Sequence, residues 1–177
     1  LDLFKKLKEI GCHRISFGVE HGNYDFRKKV LGRQVTNQRL IDSLNIVYKV
    51  GIPFSVNNII GFPEETYEMA FDTIELNRQI PADDRNAYPF IPFHGVPLRK
   101  DCDQLGLTKY EDIVESMVGT GSILDMPQFA KTKVMGLCKT FNLYVSFPKS
   151  RWPEIKIAEE NNDEGQRVFE NLKEEFK

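Results

Sequence analysis

The strongest constraint in this sequence is the repeated switch between helical and strand patterning along its first part. Leu3, Leu7 and Ile10 recur at helical spacing with lysines between them, and Gly11 is a natural C-terminal stop. Arg14 to Glu20 then alternates strictly: Ile15, Phe17 and Val19 take one side, Ser16, Gly18 and Glu20 the other. His21-Gly22-Asn23 reads as a turn, Tyr24 to Val30 as a short helix, and Leu31-Gly32-Arg33 as a break. Thr36 to Val50 carries the stripe Leu40, Leu44, Val47, widened by Ile41 and Tyr48 and ended by Gly51. Ile52-Pro53 leads into a second strand through Ile60, and Tyr67 to Gln79 returns to helix on Ala70, Phe71 and Ile74. A third, weaker strand is expected from Asn86 to Phe93, interrupted by Pro89 and Pro92, with a turn over His94 to Leu98. Strand starts about 35 to 40 residues apart, with helices between, predict parallel strands joined by right-handed crossovers. Three such units are too few to close an eight-stranded barrel, so the expected class is α/β, as half of a larger barrel or open sheet.

Beyond Arg99 the patterning becomes mainly helical. Leu105 to Val118 is moderately so, using Tyr110, Ile113, Val114 and Met117, and Gly119 to Ser122 reads as a flexible joint. Val134 to Val145 is apolar enough for a buried helix, Phe147-Pro148 breaks it, and Trp152-Pro153 opens another. Ala158 to Lys177 reads as an acidic terminal helix. The expected division is therefore 1–100 and 101–177. Because the chain opens on Leu1 directly at a helix, it is expected to be a segment of a longer product.

Charge narrows the function classes. A formal net charge of −2 gives no case for nucleic acid or an anionic membrane as the main partner. No apolar run approaches the roughly 18 residues of a membrane span, and no signal-peptide pattern opens the chain. Cys12, Cys102 and Cys138 lie far apart and make no metal-ligand pair, and neither do His13, His21 and His94. Reduced thiols and a cytoplasmic setting are expected, with no metal site from these residues.

Two anomalies point to a site. The second strand carries Asn57 and Asn58 where a buried strand would use Val or Ile, and an unpaired buried amide costs about 1–3 kcal/mol. The first strand has one small, polar face that ends in the carboxylate of Glu20. In parallel α/β folds, ligands bind at the carboxyl ends of strands, here Glu20 to Gly22, Asn57 to Glu64, and Pro92 to Gly95. Singly, each has a structural reading: Asn57 satisfied by neighbouring groups, Glu20 paired with Arg33, Glu64 capping its helix, His94 held in a turn. Together they suit hydroxyls and amines, such as a ribose or an amino acid. No G-x-G-x-x-G or P-loop is present, which argues against ordinary dinucleotide or phosphate cradling.

These residues carry a resemblance. Phe17-Gly-Val-Glu-His-Gly22, Val30-Leu-Gly-Arg33, Gly51-Ile-Pro53, Ile59-Ile-Gly-Phe-Pro-Glu-Glu-Thr66 and Pro92-Phe-His-Gly-Val-Pro-Leu98 resemble the second half of a radical S-adenosylmethionine barrel. The type is similar to the members that contain a cobalamin-binding domain. The tail from Lys139 to Lys149, Trp152-Pro153 and Ala158-Glu159 also resembles their C-terminal extension. The resemblance implies the distal half of a partial (β/α)6 TIM-like barrel over 1–100, about three βα units, followed by a mainly helical extension.

Residue by residue, the resemblance implies that Glu20, at the end of the family's fourth strand, bonds the ribose hydroxyls of S-adenosylmethionine. The family's G-x-I-x-G-x-x-E pattern falls on Asn57 to Glu64, with Ile59 against the adenine and Gly61 and Glu64 shaping the turn. Backbone near Ile91 to Phe93 would meet the adenine edge, and Arg33 is a candidate for the methionine carboxylate. Asn57 departs from the family by replacing its first glycine, His21 stands where Ser is usual, and His94-Gly95-Val96 replaces the common turn. The C-x3-C-x2-C loop that holds the 4Fe-4S cluster is absent, so the cluster ligands and the first half of the barrel are expected outside this chain. The implied function is that of a radical enzyme acting on a small-molecule substrate, with cobalamin-linked methyl transfer or cyclisation as its branch. By itself the segment is expected to be inactive. The alternatives are a methylthiotransferase or coproporphyrinogen-type relative, or an α/β binding module that lost its cluster.

Overall fold

In a computed structural model that describes residues 1–109, 111–112 and 121–176, three strands alternate with helices. The order is α1 (Asp2–Glu9), β1 (Ile15–Glu20), α2 (Tyr24–Leu31), α3 (Asn37–Val50), β2 (Phe54–Ile60), α4 (Tyr67–Asn77), β3 (Asp84–Pro89) and α5 (Pro97–Gln104). After these come α6 (Lys131–Ser146), a 3-10 turn (Lys149–Arg151), α7 (Trp152–Ala158) and α8 (Asp163–Phe176). The class is α/β, with a small parallel sheet in the order β1-β2-β3. The chain packs as two compact units, Leu1–Asn58 with Met69–Ala87, and Ile59–Glu68 with Tyr88–Lys177.

In the first unit, β1 and β2 pair in parallel, with Ile15 opposite Phe54, Phe17 opposite Val56 and Gly18 opposite Asn57. One face of the pair is apolar. Phe54 and Val56 are fully buried there, in a core with Leu44 and Val47 of α3 and Leu76 of α4. Phe4 of α1 meets Phe17 edge-on at 6.4 Å, and Phe17 meets Phe54 at 5.8 Å. Each buried side chain of this kind stabilises by about 1.5–3 kcal/mol. The helices start and stop as their sequences direct. Asn23 accepts from Phe26 N at 2.9 Å at the head of α2, Thr36 caps α3, and Gly51 ends α3 in the left-handed region. The other face presents Ser16 and Gly18 exposed, with Asn57 half-buried.

In the second unit, α6, α7 and α8 pack together around Leu137, Phe141, Ile155 and Leu172. Gly136 lets α6 approach the backbone after α7, because a Cβ there would stand 2.5 Å from the Glu159 carbonyl oxygen. The segment before α6 contributes buried Leu124, Met126 and Phe129.

Three sequence expectations are corrected. The third strand lies earlier than Asn86 to Phe93, at Asp84–Pro89, and it ends at Pro89, which has no N–H to donate onward. Pro97 to Gln104 is a helix rather than the tail of a turn; Pro97 sits in its first turn, where its missing N–H costs nothing. The terminal helix starts later than Ala158: α7 ends there, and Asn162 accepts from Gly165 N at 2.8 Å where α8 begins at Asp163. Of the helix expected over Leu105 to Val118, residues 105–109 are not helical, while Tyr110, Ile113, Val114 and Met117 lie outside the described residues. In the joint expected at Gly119 to Ser122, Gly119 and Thr120 also lie outside them, and Ser122 is buried.

Candidate functional site

Glu20 closes β1 in an unusual backbone state. Its φ is +69°, a left-handed conformation that costs an L-residue about 1–2 kcal/mol. Such strain persists only where the surroundings impose it, and it clusters at ligand sites. Here the surroundings are identifiable. His21 and Gly22 are fully buried, and Gly22 N donates to Thr73 Oγ1 at 2.8 Å. A Cβ on Gly22 would stand 2.1 Å from the Asp72 carbonyl oxygen, so only glycine lets the chain cross α4 there. The buried Arg27 guanidinium donates to the carbonyls of His21 and Val35 and to Asn37 Oδ1, tying the turn to the start of α3. Burial lowers the pKa of Arg27, and Arg33 adds to the effect.

The strained turn folds the Glu20 carboxylate back along β1. Its Oε1 lies 3.1 Å from Arg33 Nη2, and Arg33 Nη1 donates to the Gly18 carbonyl at 2.9 Å. A Cβ on Gly18 would stand 2.2 Å from Glu20 Oε1, so the absent side chain is the space the carboxylate uses. The Glu20 side chain is 17% exposed and that of Arg33 49%, so the pair is open to solvent on the arginine side and contributes little stability.

Beside this cluster, the polar sheet face is a chain of hydrogen bonds across the strands. Asn57 Nδ2 donates to Ser16 Oγ at 2.8 Å, Asn86 Nδ2 donates to Asn57 Oδ1 at 3.1 Å, and Ser55 Oγ donates to Ser16 Oγ at 3.2 Å. Asn58 belongs to the opposite face and has a structural role. It exchanges amide bonds with Asn77 of α4 at 2.8 and 3.1 Å and donates to the Asn86 carbonyl at 3.0 Å. The two neighbouring asparagines thus serve different ends: one pins a helix, the other lies on an accessible polar face.

In the second unit, β2 runs out into the turn that starts α4. Gly61 has a φ of +87°, and a Cβ there would stand 2.8 Å from Val134 of α6. Glu64 is exposed at a φ of +65°, the second strained non-glycine residue. Glu65 braces the turn: its fully buried carboxylate accepts from Gly61 N at 2.6 Å and Phe62 N at 2.9 Å. Phe62 packs against Phe90 at 4.9 Å, and Phe90 N donates to the Ile60 carbonyl at 2.7 Å. Ile59 and Ile91 are half-buried, and Phe93 is exposed.

Within the first unit, then, Glu20 and Arg33 meet, and Asn57 lies opposite Gly18 in the register. Within the second, Ile59, Gly61 and Glu64 follow one another through the turn, and Ile91 and Phe93 follow Phe90. Sequence reasoning missed Glu65, Arg27 and the Asn58–Asn77 pair. The adjacent Glu64-Glu65 is the only signal for the first, and the other two depend on long-range partners.

Among the described residues, no group of three His, Cys, Asp or Glu could hold a metal ion. Burial pushes the thiol of Cys102 up to about 11 and that of Cys138 up to about 12, which disfavours the thiolates iron would require. The described residues therefore do not fit an iron–sulfur cluster. The half-buried Glu20 carboxylate, the Arg33 guanidinium, the Ser16 hydroxyl and the Asn57 amide lie along one face of the β1–β2 pair and are groups that can bond hydroxyls. No helix among the described residues is long and apolar enough to cross a membrane.

Residues 1–76 match the Radical SAM superfamily. An uncharacterised methyltransferase of Pyrococcus horikoshii is 32% identical over 94 residues, covering 53% of this chain and 20% of that protein. A tRNA-2-methylthio-N(6)-dimethylallyladenosine synthase of Shouchella clausii is 33% identical over 97 residues, 53% of this chain and 18% of its own length. A synthase of the same name from Halalkalibacterium halodurans is 33% identical over 94 residues, 51% of this chain and 17% of its own. Each match spans about a fifth of the relative's length. The similarity to the Radical SAM superfamily thus covers residues 1–76, less than half of the chain.

Proposed function

We propose that this chain is the distal, nucleoside-binding part of a radical S-adenosylmethionine enzyme, a partial TIM-like barrel half with a helical extension. The observation that carries the reading is the Gly18–Glu20–Arg33 arrangement, a carboxylate held by a strained turn in a space kept free by glycine, within the matched segment. In this reading Glu20 accepts from the ribose hydroxyls, and Arg33 is released from it to face the methionine carboxylate. Asn57 lies on the polar face beside them. Ile59 packs on the adenine, Gly61 and Glu64 shape the turn, and backbone at Ile91 to Phe93 meets the adenine edge. When bound, S-adenosylmethionine and the cluster supply reductive cleavage and hydrogen abstraction. This chain's residues position the nucleoside, and the cluster ligands come from outside it. The segment alone is inactive for that reason.

The branch we favour is cobalamin-linked methyl transfer or cyclisation on a small-molecule substrate, supported by the motif order and by the methyltransferase among the relatives. A second reading, methylthiolation, is favoured by the names of the two synthases. Cobalt analysis of the full protein separates the two branches.

The test is anaerobic reconstitution of the full protein with iron and sulfide, followed by assay of 5′-deoxyadenosine. Cleavage is expected. Glu20→Gln should raise the half-saturating S-adenosylmethionine concentration roughly tenfold or more, the worth of a charged hydrogen bond. No cleavage by a loaded cluster overturns the reading, and unchanged half-saturation removes Glu20 from it.

A further inference from the structure

We propose that Glu159 is a positioning residue for the Gly61–Thr66 turn, acting through Tyr67, so that helices beyond the matched segment set how that turn is presented. The inference rests on the nucleoside reading above only for its functional consequence. Its geometry lies within the second unit.

Tyr67 is the first residue of α4, directly after the turn. Its hydroxyl donates to Glu159 Oε1 at 2.7 Å, and the Tyr144 hydroxyl of α6 donates to the same oxygen. Glu159 is 3% exposed, and its Oε2 has no hydrogen-bond partner among the described residues. Facing it are Tyr67 from α4, Tyr144, Lys133 and Lys139 from α6, and Lys156 from α7. Burial pushes its carboxyl pKa up, while the two phenols and then Lys133 and Lys156 oppose the shift. Phe129 meets the Tyr67 ring edge-on at 5.9 Å.

Two further contacts reach the turn from the same part of the chain. Val134 of α6 stands where a Gly61 side chain would be, and Gln128 Nε2 donates to the Glu65 carbonyl at 3.3 Å. A purely packed interface would be better served by apolar groups, since a buried carboxyl with one orphan oxygen is costly. What the carboxyl adds is direction. It fixes the Tyr67 hydroxyl, and with it the residue that directly follows the turn. A turn held in its binding conformation loses less entropy when a ligand arrives.

The experiment compares Tyr67→Phe with Tyr144→Phe in the full protein. Each loses its bond to Glu159 and the bond between the two hydroxyls, but only Tyr67 is continuous with the turn. Two readouts are taken: S-adenosylhomocysteine affinity by calorimetry, which needs no cluster, and hydrogen exchange at the Gly61 and Phe62 amides. Expected for Tyr67→Phe are affinity weaker by roughly 3- to 10-fold, the worth of one hydrogen bond, and faster exchange at both amides. Tyr144→Phe should lose comparable thermal stability with affinity within about twofold of the parent. Glu159→Gln, which keeps an acceptor oxygen, should retain the affinity that Glu159→Ala loses. Equal effects of the two tyrosine variants on affinity and exchange, or none from either, overturn the proposal. A parent protein that binds no S-adenosylhomocysteine, while exchange still rises selectively in Tyr67→Phe, sinks the nucleoside reading and leaves the positioning claim standing.

Discussion

Replacing Glu65 by alanine should be among the most damaging single changes in the second unit. One carboxylate oxygen serves two backbone donors, Gly61 N at 2.6 Å and Phe62 N at 2.9 Å, and both residues are buried. Removing it leaves two amides without their acceptor, at about 1–3 kcal/mol each. Partial relief by water entering the vacated space brings the expected loss to about 3–4 kcal/mol. With a urea slope of about 1–3 kcal/mol per molar, the midpoint falls by more than about 1 M. The single tryptophan, Trp152, lies in the same unit, so its fluorescence reports the right transition. Glu65→Gln keeps an acceptor but loses the charge and should cost about half as much. Glu64→Ala, next door and exposed, should cost less than about 0.5 kcal/mol. If Glu64→Ala and Glu65→Ala shift the midpoint equally, the turn is not held by Glu65 and the reasoning fails.

Other expectations follow from the same geometry. Gly18→Ala should weaken S-adenosylhomocysteine binding at least tenfold by displacing the Glu20 carboxylate from 2.2 Å, with thermal stability lowered by under about 1 kcal/mol; calorimetry and melting, run side by side, must show that split. Asn58→Leu and Asn77→Leu should each cost about 1–3 kcal/mol by orphaning the other amide, and the double variant should cost less than their sum, measured as a double-mutant cycle in urea. Glu159 has a folded pKa above its ordinary 4.5, chiefly through burial. Its contribution is therefore fully present below pH 4.5 and lost as pH rises through the raised value, so Glu159→Gln should flatten the fall in unfolding free energy over that window. An identical slope in the variant would show that the carboxyl stays ionised in the fold.

Most of the fold was legible because its signals are local. Alternation in Ile15 to Glu20, the capping Asn23 and Thr36, the stop at Gly51 and the stripe Leu40–Leu44–Val47 all act within a few residues of where they are read. Reading failed where local signals were weak. α5 is too charged to show a stripe, and the late start of α8 rests on one asparagine side chain. At the site, Glu20 and Asn57 stood out as polar groups where strands should be apolar. Their partners Arg33, Ser16 and Asn86 come from separate elements, and no spacing rule fixes which of them meet.

The sequence by itself determined where strands and helices alternate, which face of each strand is apolar, and that the strand ends are chemically odd. Only the tertiary structure decided that Asn58 pins α4 while Asn57 stays on the accessible face, and that Glu65 holds the turn. It also decided that Glu159, far along the chain, binds the hydroxyl of Tyr67. The physical reason is that periodicity and capping are set by neighbours along the chain. A buried hydrogen bond is set by whichever partner the packing brings within about 3 Å, and the chain does not record that in any short stretch.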